Sequence, residues 1–256
     1  MASPARKRYG QHFLVDTAVV ERIILAIDPR PGERIVEIGP GKGALTVPLL
    51  NSIGQLDVVE VDRDLAASLI ERCGNLGRLN LLRQDALRLD FTEISSSRLK
   101  VVGNLPYNIS TPLLFHLLRF NHITLMVFML QKEVVDRLCA GAGTPEYGRL
   151  SVMVQAHCRA ERLFDVHPEA FRPRPKVDSA MIRLTVLPPE TNRIRNFEQF
   201  TELVRAAFSS RRKKISNGLK PWFDAAQLEE LNIPPSARPA DLSVADYIKL
   251  SNTLNN

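Results

Sequence analysis

Between residues 34 and 131, short and largely apolar runs alternate with stretches of helical spacing, and this alternation limits the fold more than any other feature. Arg34 to Ile38, Asp57 to Val61, Leu79 to Arg83, Lys100 to Gly103 and Leu125 to Leu130 read as strands. Leu45 to Ile53, Asp64 to Cys73 and Thr111 to Leu118 read as helices between them. Runs that stay apolar rather than alternating suit strands buried on both faces. Strand–helix alternation then predicts a parallel, doubly wound α/β sheet. After Gln131 the pattern changes. Glu133 to Cys139 is helical, and Ala140 to Pro145 is a Gly/Pro loop. Leu150 to Cys158 and Ala180 to Leu187 read as two late strands that complete the sheet. Between them, Pro168, Pro173 and Pro175 predict an irregular, functional loop. Pro188-Pro189 marks the domain boundary, giving an α/β domain over 1–188 and a small all-helical one over 189–256. Helical spacing recurs there at Phe197 to Phe208, Ala225 to Leu231 and Val244 to Leu254.

Composition narrows the class. The chain is 45% apolar and 24% charged, which is ordinary for a soluble globular protein. Its longest apolar run, Ile123 to Leu130, is far too short to span a bilayer. No apolar stretch follows Arg6-Lys7-Arg8, so these residues do not read as a secretory signal. Cys73, Cys139 and Cys158 are scattered and make neither a disulfide framework nor a zinc site, so a reducing cytoplasm is the expected setting. No cluster of His, Cys and carboxylates has metal-ligand spacing, and no metal is expected. The net charge is +6, and residues 193–256 hold ten Lys/Arg against seven Asp/Glu. Arg211, Arg212, Lys213 and Lys214 lie in a stretch with no acid between Glu202 and Asp224. A run this one-sided reads as a site for phosphate backbone, with Arg6, Lys7 and Arg8 as a second basic cluster.

Two motifs carry the chemistry. The first is Glu37-Ile38-Gly39-Pro40-Gly41-Lys42-Gly43, which follows the first strand and opens a helix. Its glycines permit a tight turn and close approach of a ligand. Glu60, twenty-one residues after Gly39, stands where an acid accepts hydrogen bonds from ribose hydroxyls. Asp85, in Gln84-Asp85-Ala86 at the end of the third strand, can accept from an adenine amino group or cap a helix. An acid such as Glu37 beside the turn suits an adenosine cofactor with an ammonium group and no phosphate, which points to S-adenosylmethionine. The second motif is Asn104-Leu105-Pro106-Tyr107, at the end of the fourth strand. The Asn104 side-chain carbonyl and the Leu105 backbone carbonyl offer two acceptors for an exocyclic amine. Pro106 contributes no N–H and ends strand pairing, and Tyr107 offers a ring face for stacking.

With Gly10-Gln11-His12-Phe13-Leu14, Asn108-Ile109-Ser110 and Phe171-Arg172-Pro173-Arg174-Pro175-Lys176-Val177-Asp178-Ser179 in the same order, nearly the whole chain resembles the ribosomal RNA adenine N6,N6-dimethyltransferases, in their bacterial small-subunit branch. The resemblance implies a class I S-adenosylmethionine-dependent methyltransferase: a Rossmann-like fold with a mostly parallel seven-stranded sheet and a small C-terminal all-helical, RNA-binding domain. It implies two neighbouring adenosines near the 3′ end of small-subunit rRNA as substrate, within an immature 30S particle, and a monomeric enzyme. It places His12, Leu14, Glu37, Gly39, Gly41, Glu60, Asp85, Ala86 and Asn104 at the cofactor. It gives Asn104, Leu105, Pro106 and Tyr107 to the target base, with Phe171 stacking from the side opposite Tyr107. His12 stands where many members carry Asn, and Lys42 where several have an apolar residue.

Three other readings compete. Large-subunit rRNA methyltransferases usually have Ile where Leu105 stands. A non-catalytic assembly factor would not need Asn104, Tyr107, Glu60 and Asp85 together. An NAD-dependent enzyme is disfavoured by the G-x-G-x-G spacing of Gly39, Gly41 and Gly43.

Overall fold

The computed structural model describes residues 11–188, 191 and 194–254. In chain order the strands are β1 (Phe13–Leu14), β2 (Ile35–Ile38), β3 (Gln55–Val59), β4 (Arg78–Leu82), β5 (Leu99–Asn104), β6 (Ile123–Gln131), β7 (Cys158–Val166), β8 (Phe171–Arg172) and β9 (Ser179–Val186). The helices are α1 (Thr17–Ile27), α2 (Thr46–Ile53), α3 (Arg63–Cys73), α4 (Ser110–Leu117), α5 (Lys132–Cys139), α6 (Arg149–Gln155), α7 (Phe197–Ala207), α8 (Ile215–Leu219), α9 (Ala225–Glu230) and α10 (Val244–Thr253).

A seven-stranded sheet runs in the order β4-β3-β2-β5-β6-β9-β7. The pairs from β4 through β6 are parallel, and β6 meets β9 antiparallel. The expected mostly parallel sheet is therefore present. The chain builds outward from β2 to β4, then returns to lay β5 on the other side of β2. That reversal makes a switch point at the β2–β5 junction, where the diverging loops leave a crevice beyond the carboxyl ends of the strands. Val36, Val58, Val101, Val102 and Val127 are fully or almost fully buried, as in strands covered on both faces.

Gly103 lies tight against the end of β2. A Cβ added at Gly103 would lie 2.4 Å from the Ile38 carbonyl oxygen, which is rigid backbone. Only glycine lets these strands approach here.

Two sequence expectations are corrected. Leu150 to Cys158 is not a strand: α6 covers Arg149–Gln155, and β7 begins at Cys158. Leu150, Ser151, Val152, Met153 and Val154 are all buried, and a short apolar run buried all round has no periodicity to separate helix from strand. The helix start is set by Gly148, whose N–H donates to Ser151 Oγ at 3.0 Å. Helix α1 has no counterpart among the expectations, although Asp16 caps it by accepting from Val19 N at 3.1 Å and Ile23 and Ile27 face the core.

The residues form two compact units, one running to Val135 and resuming at Glu161–Val186, the other made of Asp136–Ala160 and the chain from Leu187 on. The helical unit thus begins well before Pro188 and takes in α6. Phe200, Leu203 and Val204 of α7 and Tyr247 and Leu250 of α10 are buried in it. His157 packs edge-on to Phe197 with ring centroids 5.2 Å apart, and burial lowers its pKa. Asn196, Asp224 and Ser243 cap α7, α9 and α10 through side-chain oxygens.

Gly103→Ala is expected to destabilise the α/β unit by about 1–3 kcal/mol, the usual cost of overpacking. The urea-unfolding midpoint measures it, and an unchanged midpoint would show that the two strands can part without cost.

Candidate active site

The crevice beyond β2, β3, β4 and β5 is lined by residues 11–14, the glycine turn, Glu60 and Val61, residues 84–86 and residues 104–109. Each sequence-predicted cofactor residue, from His12 to Asn104, lies on this one wall.

The turn from β2 to α2 has φ values of 67°, 57° and 83° at Gly39, Gly41 and Gly43, a left-handed conformation that glycine adopts without strain. Gly39 N–H donates to Val59 O at 3.0 Å, tying the turn to β3. Phe13 closes against Gly41, where an added Cβ would sit 3.1 Å from Phe13 Cδ1. Lys42 Nζ lies 4.7 Å from the centroid of the same ring, a cation–π contact, and the Lys42 carbonyl accepts from Arg72 Nη1 at 2.8 Å. Lys42 is thereby explained: it covers Phe13 and helps hold the N-terminal strand on the turn.

Two carboxylates face the crevice from within the protein. Glu37 is 1% exposed, and Thr46 Oγ1 donates to its Oε2 at 2.6 Å. Burial pushes the Glu37 carboxyl up to about 7, which the Thr46 bond opposes and the Glu60 charge reinforces. Burial also raises Glu60, opposed by the Asp62 N–H donating to its Oε1 at 2.8 Å. No described Lys, Arg or His pairs with either one. Buried carboxylates without a cation are costly, and a cationic ligand relieves that cost. The residues therefore fit a sulfonium- and ammonium-bearing cofactor. Asp85 Oδ1 accepts from Leu87 N at 3.0 Å, so Asp85 caps the local turn and retains its second oxygen for a ligand.

Asn104 ends β5 opposite Met129. Its Nδ2 donates to the His12 carbonyl at 3.1 Å, and a carbonyl can only accept, so the amide orientation is set and Oδ1 is the atom left for a ligand. Leu105 N–H donates to Met129 O at 3.2 Å, while no described residue hydrogen-bonds the Leu105 carbonyl. Tyr107 is held by its hydroxyl, 2.8 Å from Ser179 Oγ, and its ring stacks on the His12 imidazole with centroids 5.8 Å apart. Burial raises the Tyr107 pKa, so the phenol stays protonated at neutral pH.

Phe171 is the main correction. Its ring is 0% exposed and belongs to the core cluster with Leu14, Val166 and Ala170, and it does not line the crevice. β1 pairs antiparallel with β8, placing Leu14 opposite Phe171, and this pairing takes Phe171 into the core. His12, not Phe171, is the aromatic partner of Tyr107. Sequence reasoning also missed Thr46, Ser179 and Phe13. Ser179 closes the Pro-rich motif and Phe13 lies in the opening one, but nothing local marks their partners.

Arg6, Lys7 and Arg8 fall outside the described residues. Arg211 to Lys214 belong to the helical unit. Arg211 is partly a structural residue there, because its Nη2 donates to the carbonyls of Pro145 and Tyr147. Arg212, Lys213 and Lys214 are exposed.

Glu37 makes cofactor binding pH-dependent. A cation beside it favours the ionised carboxylate, so binding below about pH 7 must expel a proton. Affinity for S-adenosylmethionine is expected to rise by up to roughly tenfold per pH unit from about pH 5.5 to 7, then level off. By the same sign, the ligand-free fold loses stability as pH climbs through about 7, since a raised carboxyl pKa contributes stability only while the group is protonated. Calorimetric titration of wild type and Glu37→Gln checks this; equal slopes in the two proteins would remove Glu37 from the role.

The family model of ribosomal RNA adenine dimethylases matches residues 2–256. The chain is 49% identical over 253 residues to the ribosomal RNA small subunit methyltransferase A of Xanthomonas oryzae pv. oryzae, covering 98% of this chain and 97% of that one. Among solved structures, a dimethyladenosine transferase from Plasmodium falciparum is similar at a TM-score of 0.84 and 27% identity, covering 95% of this chain and 98% of that one. The 23S rRNA methyltransferase ErmE is similar at 0.73 and 25% identity, covering 95% of this chain and 100% of that one. With its sheet, glycine turn and paired acceptors in place, the chain belongs to the ribosomal RNA adenine dimethylase family.

Proposed function

We propose that this chain dimethylates the N6 amino groups of two adjacent adenosines near the 3′ end of small-subunit rRNA, in small-subunit biogenesis in the cytoplasm. The observation that carries the reading is the locked Asn104 amide: with Nδ2 on the His12 carbonyl, Oδ1 and the Leu105 carbonyl form an acceptor pair beside the cofactor wall. No helix of the described residues is long and apolar enough to cross a membrane.

An adenine amine is a weak nucleophile because its lone pair is delocalised into the ring. Bound S-adenosylmethionine supplies an electrophilic methyl group on a sulfonium and needs no metal to activate it. The protein has to orient the amine. Asn104 Oδ1 and the Leu105 carbonyl accept its two hydrogens and favour a pyramidal nitrogen with an available lone pair. Both bonds strengthen as positive charge develops on nitrogen, so they act more in the transition state than in the ground state. The proton then leaves to water, and no side chain is assigned as general base. Extruding the base costs a few kcal/mol. Stacking on Tyr107 offsets it by roughly 1–3 kcal/mol. Glu37, Glu60 and Asp85 serve the cofactor, and the exposed Arg212, Lys213 and Lys214 serve RNA phosphates in the immature 30S particle. The protein acts as a monomer.

The likeness to ErmE favours a second reading, large-subunit rRNA as substrate. Mass-spectrometric mapping of dimethyladenosine in both rRNAs, after incubation with immature subunits, separates the two. Adjacent dimethyladenosines in small-subunit rRNA are expected; modification confined to the large subunit would overturn the proposal.

Asn104→Ala is expected to bind S-adenosylmethionine and to lose at least roughly 100-fold in turnover, the cost of removing a preorganised transition-state contact. Near-normal methylation would end the amine-orienting role. Replacing Arg212, Lys213 and Lys214 by Gln should lower the slope of log affinity for RNA against log salt by roughly one for each phosphate that the variant leaves without a cation. A slope equal to wild type would mean that the cluster faces away from RNA.

A further inference from the structure

Tyr107 is held at both ends. Its backbone carbonyl accepts from Ser110 Oγ, at the start of α4, at 3.1 Å. Its hydroxyl lies 2.8 Å from Ser179 Oγ. With the backbone and the far tip both held, the long axis of the ring points in one direction. Rotation about that axis leaves the hydroxyl bond intact, and the His12 imidazole packed against the ring limits it.

Ser179 is itself firmly placed. It is 0% exposed and is the first residue of β9, opposite Gln131 at the end of β6. On either side of that pair, Lys132 N–H donates to the Asp178 carbonyl at 3.0 Å. Two residues back along β6, Met129 pairs with Asn104, and its carbonyl accepts from Leu105 N–H at 3.2 Å. One strand therefore carries the anchor of the ring at Gln131 and the anchor of the amine acceptors at Met129. The direction of the ring and the position of the acceptors are set in the same frame, and a base that meets both has its amine placed.

The two hydroxyls depend on each other unequally. Burial raises the Tyr107 pKa, so its hydroxyl sits where water solvates it poorly. Removing only the Ser179 hydroxyl strands that phenol without its partner, which is costly, whereas removing both hydroxyls is close to neutral. A stranded phenol finds water by swinging the ring toward the open crevice, and that swing takes the ring face off the base.

We propose that Ser179 is a positioning residue for the methyl transfer, holding the Tyr107 ring against the target base while Asn104 and Leu105 hold its amine. This rests on the adenine N6 reading given above. Ser179 acts only through Tyr107, and neither hydroxyl exchanges a proton with the base.

The test measures methylation of immature small subunits over a range of their concentration, at saturating S-adenosylmethionine. Wild type, Ser179→Ala, Tyr107→Phe and the double variant are compared, with cofactor affinity from calorimetry and stability from urea unfolding. Ser179→Ala should lose at least roughly tenfold in kcat while its cofactor affinity stays at the wild-type value. Tyr107→Phe, with no phenol to strand, should lose less. The double variant should recover most of what Ser179→Ala loses, because no buried hydroxyl is left unpaired. Should Ser179→Ala fail to fold, Ser179→Cys takes its place, since a thiol fills the site but bonds weakly. A bond that served stability alone would lower the unfolding midpoint and leave kcat unchanged. Wild-type kcat in a folded Ser179 variant would therefore overturn the proposal, as would a double variant as slow as the single one, or a defect confined to cofactor affinity. Wild type that makes no dimethyladenosine on any small-subunit particle would instead refute the functional reading itself.

Discussion

Everything at this site depends on the close contact between β2 and β5. Gly103 brings its backbone so near the Ile38 carbonyl that no side chain fits between them. The two strands therefore end side by side, and the segments leaving them share one crevice. The glycine turn leaves β2, and Asn104 to Tyr107 leave β5. A cofactor wall and a pair of amine acceptors become neighbours because the strand order reverses at that junction between two parallel strands. The chemistry is divided accordingly: the β2 side holds buried carboxylates that favour a cation, and the β5 side presents neutral acceptors that favour an amine.

The N-terminal strand joins these halves. Phe13 closes on Gly41 beneath Lys42, and the carbonyl of the preceding residue, His12, takes the Asn104 amide. Pairing of β1 with β8 fixes the strand from its other side and sends Phe171 into the core. A short two-stranded element thus decides which aromatic ring stands next to Tyr107.

Much of this was legible in the sequence. The alternation of apolar runs with helical stretches located most of the strands and helices to within a few residues, because each run reports its own burial. The glycine turn, Glu60, Asp85 and Asn104 to Tyr107 were also readable, since each lies at a strand end where spacing along the chain translates directly into place. Helix α6 was not readable as a helix, because Leu150 to Val154 are buried on every side and give no period. Arg211 looked like part of a phosphate-binding run, yet it reaches back to the carbonyls of Pro145 and Tyr147. Charge patterning reports composition, not partners.

The sequence by itself determined a parallel α/β sheet, the glycine turn with its acids, and the tetrapeptide that accepts an amine. These features are local, and local backbone preference and burial are written residue by residue. Only the tertiary structure decided which groups orient them. His12 and Asn104 are 92 positions apart, Tyr107 and Ser179 are 72 apart, and His12 and Pro173 are 161 apart. No periodicity links residues at such separations, because strand pairing and core packing bring them together only when the sheet closes. The same packing took Phe171 out of the crevice and left His12 against Tyr107.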